Sequence, residues 1–399
     1  MPKRAVILAA GGGSRGRPFT ATKPKSMIFI AGKPMIQHVI EALEENGIRD
    51  IIIVVGYRKE RLCDFIGSGG SMGVSVNYVV QPRQLGSADA LSCASKNLDD
   101  PFLVLPGNKF LRADTLAPIL NATSPSVLVK TVSDPPRSSI ITTKNNRLES
   151  GIPLERRTTA TFREKGNFTV DTRVYSLDRN IFPFLEEASS IISALDSMMQ
   201  KGLGVNIVET SGEWSDLIYP WDVLPVNGAV LKHLQPRTAG KIGSDVYLQG
   251  NVNVGDGTVI APHCVISGPV IIGPGCKIGP QVSLKGPLSI GTNTVIETFT
   301  YISNSVIGSD VQISPGGIIE DSVIDDGTYI GARFTSVSGE ADIHVGSEHY
   351  QQKIGCMIGE GCRLGSGIIA KPGSIIGNFC RAEDLKVISG EIPDKSMVV

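Results

Sequence analysis

The chain changes its hydrophobic rhythm near residue 236. Before that point, short β-branched runs alternate with amphipathic segments. "AVILAA" (5–10), "IIIVVGY" (51–57), "VNYVVQ" (76–81), "FLVLPG" (102–107) and "SVLVKTV" (126–132) are almost continuously apolar. Runs of that length predict strands covered on both faces, as in a parallel sheet. Between them, "PMIQHVIEALEENG" sets Met35, Ile36, Val39, Ile40 and Leu43 on one helical stripe that stops at Gly47. "SADALSCASKNL" and "RNIFPFLEEA" predict further helices. The pattern predicts an open α/β sheet over residues 1–235, with ligands at the carboxyl ends of its strands.

From residue 236 the rhythm is six. Aliphatic-glycine pairs begin at residues 242, 254, 272, 278, 290, 307, 358, 364 and 376. Within the stretches 242–307 and 358–376, all but one of the spacings are multiples of six. Four residues after each aliphatic stands a small or β-branched residue, among them Cys276, Cys362 and Cys380. An inward aliphatic and an inward small residue in each hexad predict a parallel β-helix over 236–399, three hexads to a coil. Such coils bury their aliphatic stacks only against neighbouring coils. The segment 333–353 breaks the phase and predicts a protruding loop. The tail from Arg381 has no aliphatic-glycine pair and predicts a segment that caps the helix or packs outside it.

A length of 399 residues suits two domains. The net charge of −1 argues for neither a nucleic-acid nor a membrane partner. Apolar runs stay below the ~18 residues a membrane span needs, and the N-terminus enters a strand pattern directly, as in a chain without a signal peptide. Seven cysteines, an odd number without a CxxC, suit a reduced, cytoplasmic setting. Cys264, Cys276, Cys362 and Cys380 fall on the inward small position and read as fillers of the coil.

Chemistry concentrates in "LAAGGGSRGRPFTATKPKS" (8–26), directly after the first strand. Gly11, Gly13 and Gly16 satisfy GxGxxG, a dinucleotide-binding spacing. That use needs an acidic residue at the end of the second strand, and the chain there reads "VVGYRK". Arg15, Arg17 and Lys25 beside exposed backbone N–H groups suit a triphosphate instead.

This stretch resembles the LAAGxGTRLxPLT…PK signature of the sugar-1-phosphate nucleotidyltransferases. With the hexads behind it, the chain is similar to the two-domain UDP-N-acetylglucosamine pyrophosphorylase/glucosamine-1-phosphate acetyltransferases, especially archaeal forms. The resemblance implies a Rossmann-like nucleotidyltransferase sheet followed by a left-handed β-helix, a homotrimer, and Mg²⁺ as cofactor. It implies a nucleoside triphosphate, UTP or dTTP, and a sugar-1-phosphate as substrates. Gly11, Gly12, Gly13 and Ser14 would then hold phosphates, with Arg15 and Lys25 as the catalytic cations. In "QPRQLGSADAL", Gln81, Gly86 and Ser87 would meet the base. Asp216, Asn108 and Asn227 would hold the metal, and Glu164, Lys165 and Asp171 the sugar.

The chain also departs from the family pattern. Asn108 stands where the family has an aspartate, and a hard cation prefers carboxylate oxygen. Gly16 replaces a leucine. "VDTRVY" puts Arg173 in place of a glycine, and Thr298 replaces the histidine base of the acetyltransferase half, beside a matching Tyr301. Three readings follow: a sugar-1-phosphate nucleotidyltransferase, a nucleotide-sugar-binding regulatory or scaffolding paralogue with impaired turnover, and a hexapeptide acyltransferase.

Overall fold

The computed structural model describes residues 2–98, 101–133, 140–144, 147–152, 167–345 and 348–399. The chain divides into two compact units. The first comprises Met1–Gly12, Lys23–Met27 and Met35–Ser215; the second comprises Gly13–Thr22, Ile28–Pro34 and Asp216–Val399. The second unit therefore contains the repeats and two short segments from near the N-terminus.

The first unit is built on a nine-stranded mixed sheet. Its strands are β1 (Arg4–Leu8), β2 (Asp50–Val55), β3 (Ser75–Val80), β4 (Phe102–Pro106), β5 (Ser126–Val132), β6 (Ile140–Lys144), β7 (Arg147–Ile152), β8 (Phe168–Leu177) and β9 (Asn206–Glu209). They lie in the order β3-β2-β1-β4-β8-β5-β9-β7-β6. The β3-β2-β1-β4 half is parallel throughout, and β8 enters antiparallel to β4. Alternate residues of the parallel strands feed two cores. Val6, Ile52 and Val104 join one, with Ala88 and Leu91 of the helix Ser87–Cys93. Ile7, Ile53 and Leu105 join the other, with Ile36, Val39, Ile40 and Leu43 of the helix Met35–Glu45. Both faces are covered, which is why the runs read as continuously apolar.

The second unit carries three parallel sheets of nine, nine and eight short strands, the left-handed β-helix. One inward column runs Val254, Ile272, Ile290, Ile307, Ile324, Ile358 and Ile376, each paired with the next coil. Fully burying such a side chain is worth roughly 1.5–3 kcal/mol, so the stack supplies most of the drive for winding. At one corner, Asp245, His263, Gln281 and Phe299 hold φ of 54°, 62°, 58° and 59° at intervals of one coil. A left-handed corner costs a non-glycine residue about 1–2 kcal/mol. The flanking ladders hold it in place.

Two details go beyond the repeat pattern. The tail from Arg381 does not lie outside the coils. Arg381–Ala382, Val387–Ile388, Glu391–Ile392 and Met397–Val398 extend all three sheets. The coil needs the inward aliphatic, which Ala382 and Ile388 supply, and not the glycine after it. The phase-breaking segment holds a β-hairpin, Gly339–Val345 with Glu348–Ile354. Its Tyr350 ring packs 4.7 Å from Tyr219 and 5.6 Å from Trp221.

The inward cysteines donate to carbonyls of the adjoining coil: Cys264 to Gly279, Cys276 to Gly291, Cys362 to Gly377 and Cys380 to Pro393, at 2.9–3.1 Å. Burial pushes their thiols up, that of Cys362 to about 12. Among the described residues no helix is long and apolar enough to cross a membrane.

Candidate active site

In the first unit, three parallel strands release their chains at one edge, and backbone hydrogen bonds carry the register past the strand ends. Tyr57 N donates to Ala10 O (3.1 Å), Gln81 N to Val55 O (2.8 Å) and Gly107 N to Leu8 O (2.9 Å). Gly11, Gln81 and Asn108 therefore leave the same carboxyl edge of β1, β3 and β4. A Cβ on Gly11 would meet nothing within 4 Å, so its backbone faces open space. A Cβ on Gly107 would lie 3.2–3.3 Å from Ile7, Ala9 and Ser26. A side chain at position 107 would press on the segment carrying Lys25 and Ser26.

The stretch after β3 is held by its own side chains. Gln81 is buried and donates from Nε2 to Asp89 Oδ2 (2.6 Å) and to Gly86 O (3.2 Å). These bonds use the amide donors, so the Gln81 group left to meet a base is its carbonyl Oε1. Gly86 has φ +112°, and a Cβ there would sit 2.1 Å from Ser189 O. Ser87 Oγ accepts from Ile191 N at 3.1 Å, tying this helix start to that of the helix Ile191–Gln200.

Beneath β4 lies a residue the sequence pattern did not single out. Lys109 is fully buried, with Nζ 4.3 Å from the centroid of the Trp214 ring. Its charge also acts on Asp171, a buried carboxylate on β8. Burial raises the pKa of Asp171. Hydrogen bonds from the Tyr175 hydroxyl (2.5 Å) and Arg173 N (2.6 Å) oppose that rise, followed by the charges of Lys109 and Arg173. Burial is also the main force that raises Tyr175 well above a free phenol.

These bonds brace a bulge. The β8–β5 register shifts between Asp171 and Val174, and Arg173 sits at φ 61°. Arg173 thus holds the left-handed backbone that the family pattern gives to glycine. Asp171 works here as a backbone brace. Glu164 and Lys165 lie outside the described residues.

In the second unit, Gly13 (φ 63°) opens a 3₁₀ turn over Ser14–Gly16. Gly16 N and Thr20 Oγ1 both bond Gly13 O, at 2.8 and 2.7 Å. Ser14 and Arg15 stand exposed on that turn, while Gly16, where the family pattern has leucine, is buried. Downstream, Asn378 Nδ2 donates to Pro18 O (2.9 Å), and Thr22 Oγ1 donates to Glu360 Oε2 (2.6 Å).

The donors expected to hold a metal are Asn227, Asn108 and Asp216. Asn227 is buried, and its Oδ1 already accepts from Ala31 N (3.0 Å) and Ser289 Oγ (2.5 Å). Asn108 offers a neutral amide, and the residue after it is the buried Lys109 cation. Asp216 alone of the three is a carboxylate, with both oxygens shielded from solvent. Among the described residues no group of three or more His, Cys, Asp or Glu side chains converges. Thr298, at the acetyltransferase histidine position, donates its hydroxyl to Pro280 O at 2.8 Å. It offers no base.

Residues 4–218 match the nucleotidyl transferase family, and residues 248–353 match the GMPPB C-terminal domain. The bifunctional protein GlmU of Methanococcus maripaludis is 30% identical over 406 residues, covering 99% of this chain and 96% of the relative. A glucose-1-phosphate thymidylyltransferase of Streptomyces antibioticus is 29% identical, covering 68% of this chain and 78% of the relative. Among solved structures, the inositol-1-phosphate CTP transferase of T. maritima superposes with a TM-score of 0.50 at 19% identity, over 58% of this chain and 97% of that one. At that identity the likeness concerns the fold.

Proposed function

The chain belongs to the nucleotidyl transferase family as a sugar-1-phosphate nucleotidyltransferase, and from that premise we propose how its residues divide the work. An oxygen of the sugar-1-phosphate attacks the α-phosphorus of a nucleoside triphosphate. A new P–O bond forms as the α–β bridge breaks, and pyrophosphate leaves. Such a transfer is mostly positioning and charge neutralisation.

The backbone N–H groups of Gly11, Gly12, Gly13 and Ser14 cradle the phosphates. Arg15 neutralises the departing pyrophosphate, and Lys25 the α-phosphate. Gly86 and Ser87 shape the stretch where the base lies. Gln81 Oε1 accepts from N3–H of a uracil or thymine, which makes UTP or dTTP the donor. Glu164 and Lys165 hold the sugar phosphate, and Asp171 supports that side through the β8 bulge. A divalent cation such as Mg²⁺, when bound with the triphosphate, would supply charge neutralisation of the phosphates. Asp216 is the carboxylate it would meet. No step is assigned to a protein-held metal.

The observation that carries this reading is the shared carboxyl edge, where hydrogen bonds align the exits of Gly11, Gln81 and Asn108. Ligands of open α/β sheets bind at such an edge.

The protein acts in the cytoplasm as a homotrimer packed through its β-helix. A ladder of outward residues on the third sheet supports the trimer: Tyr247, Val265, Ile318, Ile369 and Val387 are exposed along it, with Ser283, Tyr301 and Thr335 between them. The third sheet would lose this apolar stripe to solvent in a monomer.

The test is pyrophosphate release from UTP or dTTP with Mg²⁺ and a panel of sugar-1-phosphates. Release that depends on one sugar is expected. Silence across the panel, with nucleotide binding still seen calorimetrically, would instead support the impaired-paralogue reading. Asn108 is the residue that gives that second reading its footing.

A further inference from the structure

The β-helix retains no acetyltransferase base at Thr298, yet its last coils are fully wound and hold buried polar groups. One of these, Asn378, is 1% exposed and bonds through every polar atom of its side chain. Its Oδ1 accepts from Glu360 N at 2.9 Å, and its Nδ2 donates to Asp394 Oδ1 at 3.0 Å and to Pro18 O at 2.9 Å. The first two bonds join neighbouring coils. The third leaves the coils and holds the signature loop.

A second tie lies alongside, from Thr22 Oγ1 to Glu360 Oε2. Between Gly13 and these ties, the loop is closed on itself by the Thr20–Gly13 bond and anchored by Phe19, one of the largest fully buried side chains. Arg15 stands exposed on the turn Ser14–Gly16 that precedes these ties.

We propose that the C-terminal coils of the β-helix position the triphosphate loop, with Asn378 as the principal positioning residue and the Thr22–Glu360 pair as its auxiliary. The sugar-1-phosphate reading above supplies the ligand, and the proposal deepens it. The β-helix of this chain thereby contributes to nucleotide binding without touching the nucleotide. The physical reason is preorganisation: a loop ordered before binding loses less conformational freedom when the triphosphate arrives. Asn378 lies only three residues before Arg381, so the coils built by the C-terminal tail, through Asp394, form the seat.

The test pairs hydrogen exchange of peptides covering residues 13–22 with the affinity for UTP and dTTP, in the full-length protein. Losing one buried hydrogen bond translates to about tenfold in an equilibrium constant. In Asn378→Ala, exchange of the loop should quicken and nucleotide affinity fall about tenfold, while KM for the sugar-1-phosphate stays within about twofold.

Thr22→Val alters the loop side alone and leaves the coils untouched, so it should repeat the effect in smaller measure. Thr22→Ser should restore it, because the hydroxyl returns. Unchanged loop exchange and affinity in both Asn378→Ala and Thr22→Val would overturn the proposal. So would an equal rise in both KM values with exchange quickened throughout the coils, since that marks a purely structural residue. If the wild type binds no nucleotide but Asn378→Ala still quickens loop exchange, the substrate assignment fails and the mechanical coupling stands.

Discussion

The two units satisfy their buried polar groups in different ways. The α/β unit buries charge near its reactive edge: Lys109 and Asp171 are enclosed, and Asp171 is pushed up by desolvation. The β-helix buries mainly neutral groups, hydroxyls, thiols and the Asn378 amide, many of them bonded to a backbone or side-chain partner one coil away. Thr258, Cys276 and Thr294 are examples. Buried charge under a sheet's carboxyl edge is characteristic of a site that handles charged substrates. Neutral saturation is characteristic of a frame. The difference separates the sheet, with its buried charge, from the coils, while the turn that carries Arg15 belongs to the same unit as the coils.

Three changes would break or sharpen that contrast. The largest effect should come from Lys109→Met, which keeps bulk over Trp214 but removes the cation that opposes the raised Asp171. Loss of one member of a buried charge network typically costs about 3–5 kcal/mol, readable as a lowered midpoint in chemical denaturation. A wild-type midpoint would show that the α/β unit does not depend on its buried charge.

Asp171→Asn should act through pH. With a folded-state pKa above the ordinary 3.8, Asp171 favours the fold when protonated. Its contribution is full below pH 3.8 and is lost as pH rises through the folded value. Thermal melts from pH 4 to 8 should show the variant gaining on the wild type as pH rises. A constant difference would remove the desolvation account.

The smallest effect concerns the frame. A thiol reagent at pH 8 should modify at most Cys63 and Cys93 in the native protein. Cys264, Cys276, Cys356, Cys362 and Cys380 are buried with raised pKa values and should react only after unfolding.

Local patterns announced most of the fold. Hexads and aliphatic runs are short-range signals, and both units follow them. The tail winds on without the pair because the glycine is a convenience of the corner, whereas the aliphatic is the requirement. The glycine loop and the Gln81 stretch were legible as segments leaving strand ends, because a strand followed by a loop is a local signal. Asn227 was not, since its commitment to Ala31 and Ser289 spans 196 and 62 residues of sequence. Nor was Lys109, whose burial depends on Trp214 arriving from far along the chain. Arg173 in a left-handed backbone shows that a missing glycine need not change the local path when a neighbouring carboxylate braces it. Asn378 carried no sequence signal beyond its place after Gly377.

The most direct measurement is the steady-state rate of pyrophosphate release by Arg15→Ala beside the wild type. Arg15 is exposed on the turn, so its loss should leave the melting temperature unchanged. A charge-neutralising group in phosphoryl or acyl transfer is worth roughly 10²–10³-fold, and kcat/KM for the triphosphate should fall by that order. An unchanged kcat/KM would contradict the assignment of triphosphate chemistry to this loop.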